Sequence, residues 1–404
     1  MTADAAPQPK RDTPPGASDA LATARAERYS ARVLPADTDG LSAYAAFSAG
    51  SIYSPPQSPL WASAWLEGTG EDSLIALLHR NGVPVLGLAL EVVNAGPFRY
   101  ARFAGGQHAN GNFPALHPDS AADAGTDAEA IQSLMTAIRH ARPDIDMLAL
   151  ERQQKAFQGF SNPVLVLPHT TSPNVSLAVD LAAGFDALFK GGSGRRRRKR
   201  HRSQIRKMEA AGGYRRFAAA SAAEINELLD LFFALKRTRL TRMGIPDLFG
   251  APRVQESFRR LFHAALCEPR PPFILHGLEV DGKVRAITGS SRTREGVICE
   301  FSTFSEDELS HASPGDFLFH ENIAEACAEG LSVYDFSVGD EPYKRIWCDV
   351  ETTHVDVFVG LTAKGRMLAA ANFALAAAKR LIKQHSSTAR LLRRARRISA
   401  SAEE

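Results

Sequence analysis

Asp335, Asp340, Glu341, Tyr343 and Lys344 fall within ten positions in the run Val333-Tyr-Asp-Phe-Ser-Val-Gly-Asp-Glu-Pro-Tyr-Lys-Arg-Ile-Trp347. Carboxylate, phenol and ammonium are the groups that move protons and hold anions. The run starts as an apolar β-type stretch, breaks at Gly339 and is expected to restart as a helix at Pro342, which has no N–H to waste at the first helical position. Glu341 then stands as the helix cap. Tyr343 and Trp347, four apart, share a face, and packing is the natural job of Trp347. Taken alone, the stretch reads equally well as a buried strand and a capped helix with solvated charges.

Ser313-Pro-Gly-Asp316 has capping-box spacing, again with Pro at the first helical position. Gly315 bares backbone N–H groups there, and such a helix start is a seat for phosphate. An ordinary capped helix is the simpler account, and Asp316 would repel an anion placed close to it. Cys267, Cys299, Cys327 and Cys348 stand singly, without CxxC spacing or paired histidines. Zinc is not indicated, and they read as buried thiols of a reducing compartment, with a nucleophilic role for Cys299 or Cys348 as the lesser alternative. In the Gly/Asn-rich loop 105–112, His108 is a candidate for a cleft between the two halves of the chain. A hydrogen-bonded loop histidine is the simpler account.

The elements that must position these groups form two series. In the first, helices at 41–47 and 60–66 precede a hairpin, 74–78 and 85–93, turned by Asn81-Gly82. A strand at 100–103, an amphipathic helix at 126–142 ended by Pro143, and strands at 146–150, 164–167 and 176–179 follow. A helix over 185–211, interrupted at Gly191-Gly-Ser-Gly194, links the series. In the second, helices at 222–241 and 253–267 precede a hairpin, 273–280 and 283–290, turned by Asp281-Gly282. A strand 297–304, a helix 313–329, a strand 333–338, a short helix 342–348 and a last strand 354–359 complete it. The shared order, without a residue-level repeat, predicts a structural duplication.

At 404 residues and 43.7 kDa the chain is too long for one ordinary core, so two domains with tails are expected. Residues 1–30 are rich in Ala, Pro and Asp, lack an apolar h-region and read as a disordered leader. The apolar run 367–378 is too short to span a bilayer and contains Asn372. A soluble, cytoplasmic protein is expected. The net charge of +3 hides segregation: residues 195–207 carry nine Lys/Arg, residues 379–397 carry eight, and neither block has an acid. With those seventeen taken from 48, 31 basic residues remain against 45 acidic ones. Such blocks seek anionic partners. The first lacks interleaved aromatics to stack bases, which favours a solvated face, lipid or sugar phosphates over nucleic acid. The second, on a helix over 367–397 that includes Leu391-Leu392, fits peripheral contact with an anionic membrane and packing on the second domain equally well.

The second half resembles the GNAT superfamily of acyl-CoA-dependent N-acyltransferases, and residues 31–360 look like its CelD-like branch, with two such domains in tandem. The carriers are the basic helix Leu188–Ala211, Ser313-Pro-Gly-Asp316 and, most specifically, the strand ending in Asp followed by Gly339-Asp-Glu-Pro-Tyr-Lys344 and Trp347. The resemblance implies an α/β fold with mixed sheets. Its parts would be the leader 1–30, a first GNAT-like domain 31–184, a basic linking helix 185–212, a second, catalytic domain 213–362 and a basic C-terminal helix and tail 363–404. It implies direct transfer of an acetyl or longer acyl group from a CoA thioester to an amine, such as an amino sugar or polysaccharide precursor, without a metal. Ser313, Pro314 and Gly315 would seat the CoA pyrophosphate, and the strand holding Phe301 and Thr303 would offer backbone N–H groups to the thioester oxygen. Asp340 and Glu341 are expected at the substrate, Asp335 is a further candidate, and Glu300 is the reserve base. Tyr343 would protonate the departing thiolate, and Lys344 would hold an anionic substrate or the developing oxyanion. Only Gly315 remains of the superfamily's glycine-spaced pyrophosphate signature. The related Fem-like transferases, with similar tandem architecture and a Phe-Lys pair near the same point, take an aminoacyl group from tRNA, a donor the block 195–207 would suit. A noncatalytic scaffold binding polyanions or membrane is the alternative of another class.

Overall fold

Asn81 and Gly82 both take left-handed backbone, with φ of 51° and 81°, and so do Asp281 and Gly282, with φ of 52° and 68°. Two-residue hairpin turns with the twist of their strands demand this. The computed structural model describes residues 29–69, 72–120 and 128–384. The first hairpin belongs to a series of β1 (Tyr29–Pro35), α1 (Thr38–Ser48), α2 (Pro59–Leu66), β2 (Ser73–Arg80), β3 (Val83–Ala95), β4 (Phe98–Phe103), β5 (Ala115–Leu116), α3 (Ala128–Ala141) and β6 (Met147–Gln153). A small hairpin, β7 (Ala156–Phe157) and β8 (Phe160–Ser161), leads to β9 (His169–Asp180). After α4 (Gly191–Ala210) the order repeats: β10 (Tyr214–Ala218), α5 (Ala222–Arg242), α6 (Pro252–Leu266), β11 (Phe273–Val280), β12 (Lys283–Arg292), β13 (Gly296–Phe304), α7 (Pro314–Ala328) and β14 (Val333–Val338). The one-turn α8 (Lys344–Trp347), β15 (Val350–Gly360) and α9 (Ala363–Gln384) follow. The duplication expected from the sequence is present in the main strands and helices, while β5, β7, β8 and α8 belong to one series only.

The halves share one sheet. Its order is β1-β2-β3-β4-β6-β15-β9-β14-β13-β12-β11-β10, with β5 set against β3. Each half ends by giving its last strand to the other: β9 pairs with β14, and β15 pairs with β6. The exchanged strands lie side by side, antiparallel, at the centre. In each half a meander is followed by a parallel pair of only three residues, Tyr100↔Met147 to Arg102↔Ala149 and Gly296↔Val333 to Ile298↔Asp335. Beyond these the strands part. Both β6 and β14 then bulge, with Arg152 at φ 53° and Ser337 at φ 60°.

Helix α6 shows why the helices form where they do. Pro252 starts it, and Phe258, Leu261, Phe262 and Ala265 recur at helical spacing on its buried face. It meets α2 across the seam between the halves, where Trp61 and Trp65 stack 5.5 Å apart and Phe258 stands edge-on to both. Trp61 Nε1 donates to the Ala104 carbonyl at 2.8 Å, so the polar end of this buried ring is satisfied.

Several expectations need correction. The segment expected as a strand at 164–167 is a 3-10 turn, Pro163–Val166, started by proline and capped by the Asn162 side chain. Gly191 to Gly194 do not interrupt a helix but begin α4, after a separate 3-10 turn, Phe185–Phe189. Glu341 is not a cap, because α8 begins only at Lys344, with Tyr343 before it. Cys267 is exposed rather than buried; Cys299 is buried, Cys327 and Cys348 are partly so, and all four are free thiols. Residues 1–28 and 385–404, including Leu391-Leu392, lie outside the described residues, as do the first residues of the helix expected at 126–142.

Candidate active site

Glu300 is the extra residue of a bulge in β13: Phe301 pairs with Gly289 and Cys299 with Ser290, leaving Glu300 between them without a ladder partner. A bulge re-aims the local side chain and frees backbone from the ladder. Ser291 Oγ donates to Glu300 Oε1 at 2.6 Å, while Oε2 is buried with no hydrogen-bond partner. Burial pushes the Glu300 carboxyl up to about 8 against the bond from Ser291, and the Asp335 charge adds to the rise. Asp335 ends the paired part of β14 opposite Ile298, two residues before the bulge. Its own carboxyl is raised to about 6 by burial, opposed by the Ser337 N–H bond and the Lys344 charge. Two coupled carboxyls therefore sit where β13 and β14 begin to part.

The bulge in β14 takes Ser337 off the ladder, and side chains recover its backbone. Ser337 N–H donates to Asp335 Oδ1 at 2.6 Å, and the Lys344 ammonium donates to the carbonyls of Ser337 and Val338 at 3.3 and 3.0 Å. Lys344 is 4 % exposed and also pairs with Glu341 Oε2 at 3.0 Å. Its hydrogen-bonding capacity is thus committed to the strand end. Tyr343 stacks on Phe319 with centroids 5.7 Å apart, and burial raises its phenol above the ordinary value. A phenol in that state keeps its proton. Asp340 and Glu341 lie on the rim: Asp340 Oδ1 accepts from Arg345 Nε at 2.5 Å and Glu341 is half-exposed.

The other wall comes from α5. Lys236 Nζ donates to the Ser302 carbonyl at 3.1 Å and lies within 6.0 Å of the Phe232 ring and 5.7 Å of the Phe249 ring. Burial lowers its pKa, with Arg239 adding to the effect. The Phe301 ring closes this side among Phe232, Phe249 and Phe258, and Thr303 is buried.

At the start of α7 the expected capping box does not form. Ser313 takes left-handed backbone at φ 54° and caps with no side-chain bond. Asp316 instead accepts from Trp347 Nε1 at 3.0 Å and Gln204 Nε2 at 2.9 Å, and pairs with Arg200 Nε at 3.1 Å. The first turn thus already holds an anion of its own. Pro314 is buried, and a Cβ on Gly315 would lie 3.1 Å from Phe304 Cδ1, so close packing on β13 explains this glycine. The loop before α7 carries Glu306, Asp307 and Glu308, paired with Arg242 and Arg285. Helix α4 lies across this end: Lys207 Nζ donates to the His311 carbonyl at 2.8 Å, and Arg197 Nη2 to the Ile346 carbonyl at 2.7 Å. Its outer side leaves Arg195, Arg196, Arg198, Lys199, Arg202 and Arg206 exposed.

His201 of α4 stacks on His320 of α7 with centroids 3.4 Å apart, and both rings reach Glu321 Oε1, at 3.0 and 3.1 Å. Among the described residues these three bring metal-ligating atoms within 4.8 Å of one another. The surrounding arginines of α4 oppose a dication, and the cluster acts as a hydrogen-bonded clasp. His108 packs with Trp65, Phe249 and Phe258 at the seam, and burial lowers it to about 4, which keeps it neutral. Burial raises Cys299 and Cys348 to about 12, so neither is a thiolate near neutrality. A cleft of about 550 Å³ opens between the halves, lined by Tyr53, Leu60, Phe273, Thr293 and Arg294 among others. Phe273 is the ladder partner of Ser291, the residue bonded to Glu300.

The sequence named Glu300 and Asp335 but ranked them behind Asp340 and Glu341. It gave Lys236 and Ser291 no role: Ser291 is disclosed by its bond to the bulged Glu300, and Lys236 by the packing of α5 on β13.

Residues 195–345 match the family model of an acetyltransferase (GNAT) domain. The crystal structure of FemX has the same fold, with a TM-score of 0.54 at 11% identity over 79% of this chain and 96% of that one. A tandem GNAT protein from the clavulanic acid biosynthesis pathway aligns with a TM-score of 0.47 at 12% identity over 82% of this chain and 99% of that one. No curated protein matches.

Proposed function

We propose that the second half of this GNAT-type protein transfers an acyl group to an amine, in the opening between β13 and β14. The observation that carries it is the Glu300 carboxyl, set on a strand bulge beside Asp335 and raised to about 8. An incoming ammonium must lose a proton before it attacks, and a carboxylate with that affinity takes it once the pH is high enough, near 8, to ionise the group. The backbone freed by the bulge is the donor that meets the acyl oxygen as it gains charge. Tyr343, held as a neutral phenol beside Ser302, donates a hydrogen bond to the leaving group as it gains charge. Lys344 fixes the strand end that presents Asp335. Asp340 and Glu341 then belong to the rim, where they meet substrate rather than move its proton.

The acceptor enters from the seam cleft, whose Phe273 is linked through Ser291 to Glu300. Its class, an amino sugar or polysaccharide precursor, rests on the CelD-like resemblance. The donor of first choice is acyl-CoA. Aminoacyl-tRNA is the second reading, favoured by Asp316 in the helix-start anion seat and by the exposed arginines of α4, which suit a longer polyanion.

The test is release of free CoA thiol from acetyl-CoA by the full chain, with and without a panel of amino sugars. Acceptor-dependent release that disappears in Glu300→Gln supports acyl-CoA transfer. Release unaffected by Glu300→Gln removes the proposed base. Absent thiol release together with aminoacyl transfer from charged tRNA selects the second donor. Inactivity with both donors sinks the proposal.

A further inference from the structure

We propose that α9 seats the protein on an anionic lipid surface. One side of the helix packs on the sheet: Ala369 and Phe373 meet Met147, Ala149 and Phe358, with the Phe358 and Phe373 rings 5.2 Å apart. The opposite side faces solvent. Met367 is 75 % exposed, Leu375 50 % and Leu381 56 %, with exposed Ala371, Ala374 and Ala378 between them. At a helical turn of about 100° per residue these six lie along one stripe. Arg366 and Lys379 stand exposed on its flanks, and the chain continues through Lys383 and five arginines to residue 397 with no acid. Among the described residues no helix is long and apolar enough to cross a membrane.

A stripe of small and flexible apolar side chains, flanked by long cationic ones, has the composition of a helix lying in the headgroup zone, where basic heads reach phosphates and their stems cover hydrocarbon. A symmetric pairing of two copies through the stripe would bring two acid-free basic blocks together, and like charge opposes it. The bilayer supplies the opposite sign. The assignment does not depend on the acyl-transfer reading, because α9 contributes no residue to the opening between β13 and β14.

The test is co-sedimentation of the full chain with vesicles of phosphatidylcholine alone and of phosphatidylcholine with phosphatidylglycerol. Binding is expected only to the anionic vesicles and is released by high salt. Met367→Glu with Leu375→Glu, and separately Lys379→Glu with Lys383→Glu, should each weaken partitioning by about tenfold or more. Circular dichroism melting should stay unchanged, since the apolar pair changed is on the solvent side. Equal partitioning to both vesicle types, no binding to either, or variants that sediment like the parent overturns the proposal. A dimer in sedimentation velocity that Leu375→Glu dissociates gives the stripe to self-association and overturns it as well.

Discussion

Ser291 holds Glu300 by one carboxyl oxygen, at 2.6 Å, and leaves the other buried and unpartnered at the parting of two strands. A carboxyl so placed prefers to be neutral, and neutralising it at the expense of an arriving ammonium is the step that the proposed transfer requires. Glu300→Gln keeps the Ser291 bond and removes the acid–base function. The expected loss in turnover is about 10²–10⁴-fold with the melting temperature retained, measured by steady-state kinetics beside a thermal melt.

The same carboxyl makes stability pH-dependent. Its folded value of about 8 lies above the ordinary 4.5, so the folded state binds a proton that the unfolded chain has released between those limits. Its contribution is fully present below 4.5 and is lost as pH rises through 8. Melting temperatures taken across that window should decline for the parent and decline less for Glu300→Gln. Parallel curves would show that the group does not titrate there.

Asp335→Asn removes a like charge from beside Glu300 while still accepting from Ser337 N–H. The Glu300 carboxyl should then ionise more easily, and the acid limb of kcat/KM against pH should move to lower pH. A limb that stays in place would uncouple the two groups.

Lys344→Met takes away the ammonium that donates to the carbonyls of Ser337 and Val338. Unsatisfied buried acceptors cost about 1–3 kcal/mol, so the strand end should loosen. Hydrogen exchange is the measurement: protection should fall in β14 and α8 before it falls in α6.

Trp61→Ala opens the seam between α2 and α6, where the ring stacks on Trp65 and its nitrogen holds Ala104. A destabilisation of about 3–5 kcal/mol is expected from denaturant unfolding. Because both halves meet there, the transition should remain single.

Much of the architecture was legible. Asn81-Gly82 and Asp281-Gly282 announced their hairpins because a left-handed pair is a local requirement that few residues meet. The helix expected at 253–267 is present as α6, Pro252–Leu266. What escaped was relational. The bulge that isolates Glu300 exists only in the register between β12 and β13, and no pattern within either strand encodes it. Glu341 was misread as a cap because Pro342 signals a helix start, whereas Lys344 is drawn back to the carbonyls of β14 and delays the turn. Ser313 and Asp316 have capping-box spacing, yet Asp316 answers to Trp347, Gln204 and Arg200, residues distant in sequence. A short helix start can be read from neighbours; its partners from other elements cannot.

The exchange of β9 and β15 ties the order of synthesis to the order of assembly. As the chain leaves the ribosome, the N-terminal repeat is complete by residue 180, yet the edge of β6 has no neighbour until Val350–Gly360 emerges. During that interval an open edge rich in Leu and Ala is exposed to other nascent chains, and pairings so far apart in sequence close slowly. The last strand made is therefore the one that locks the first domain begun.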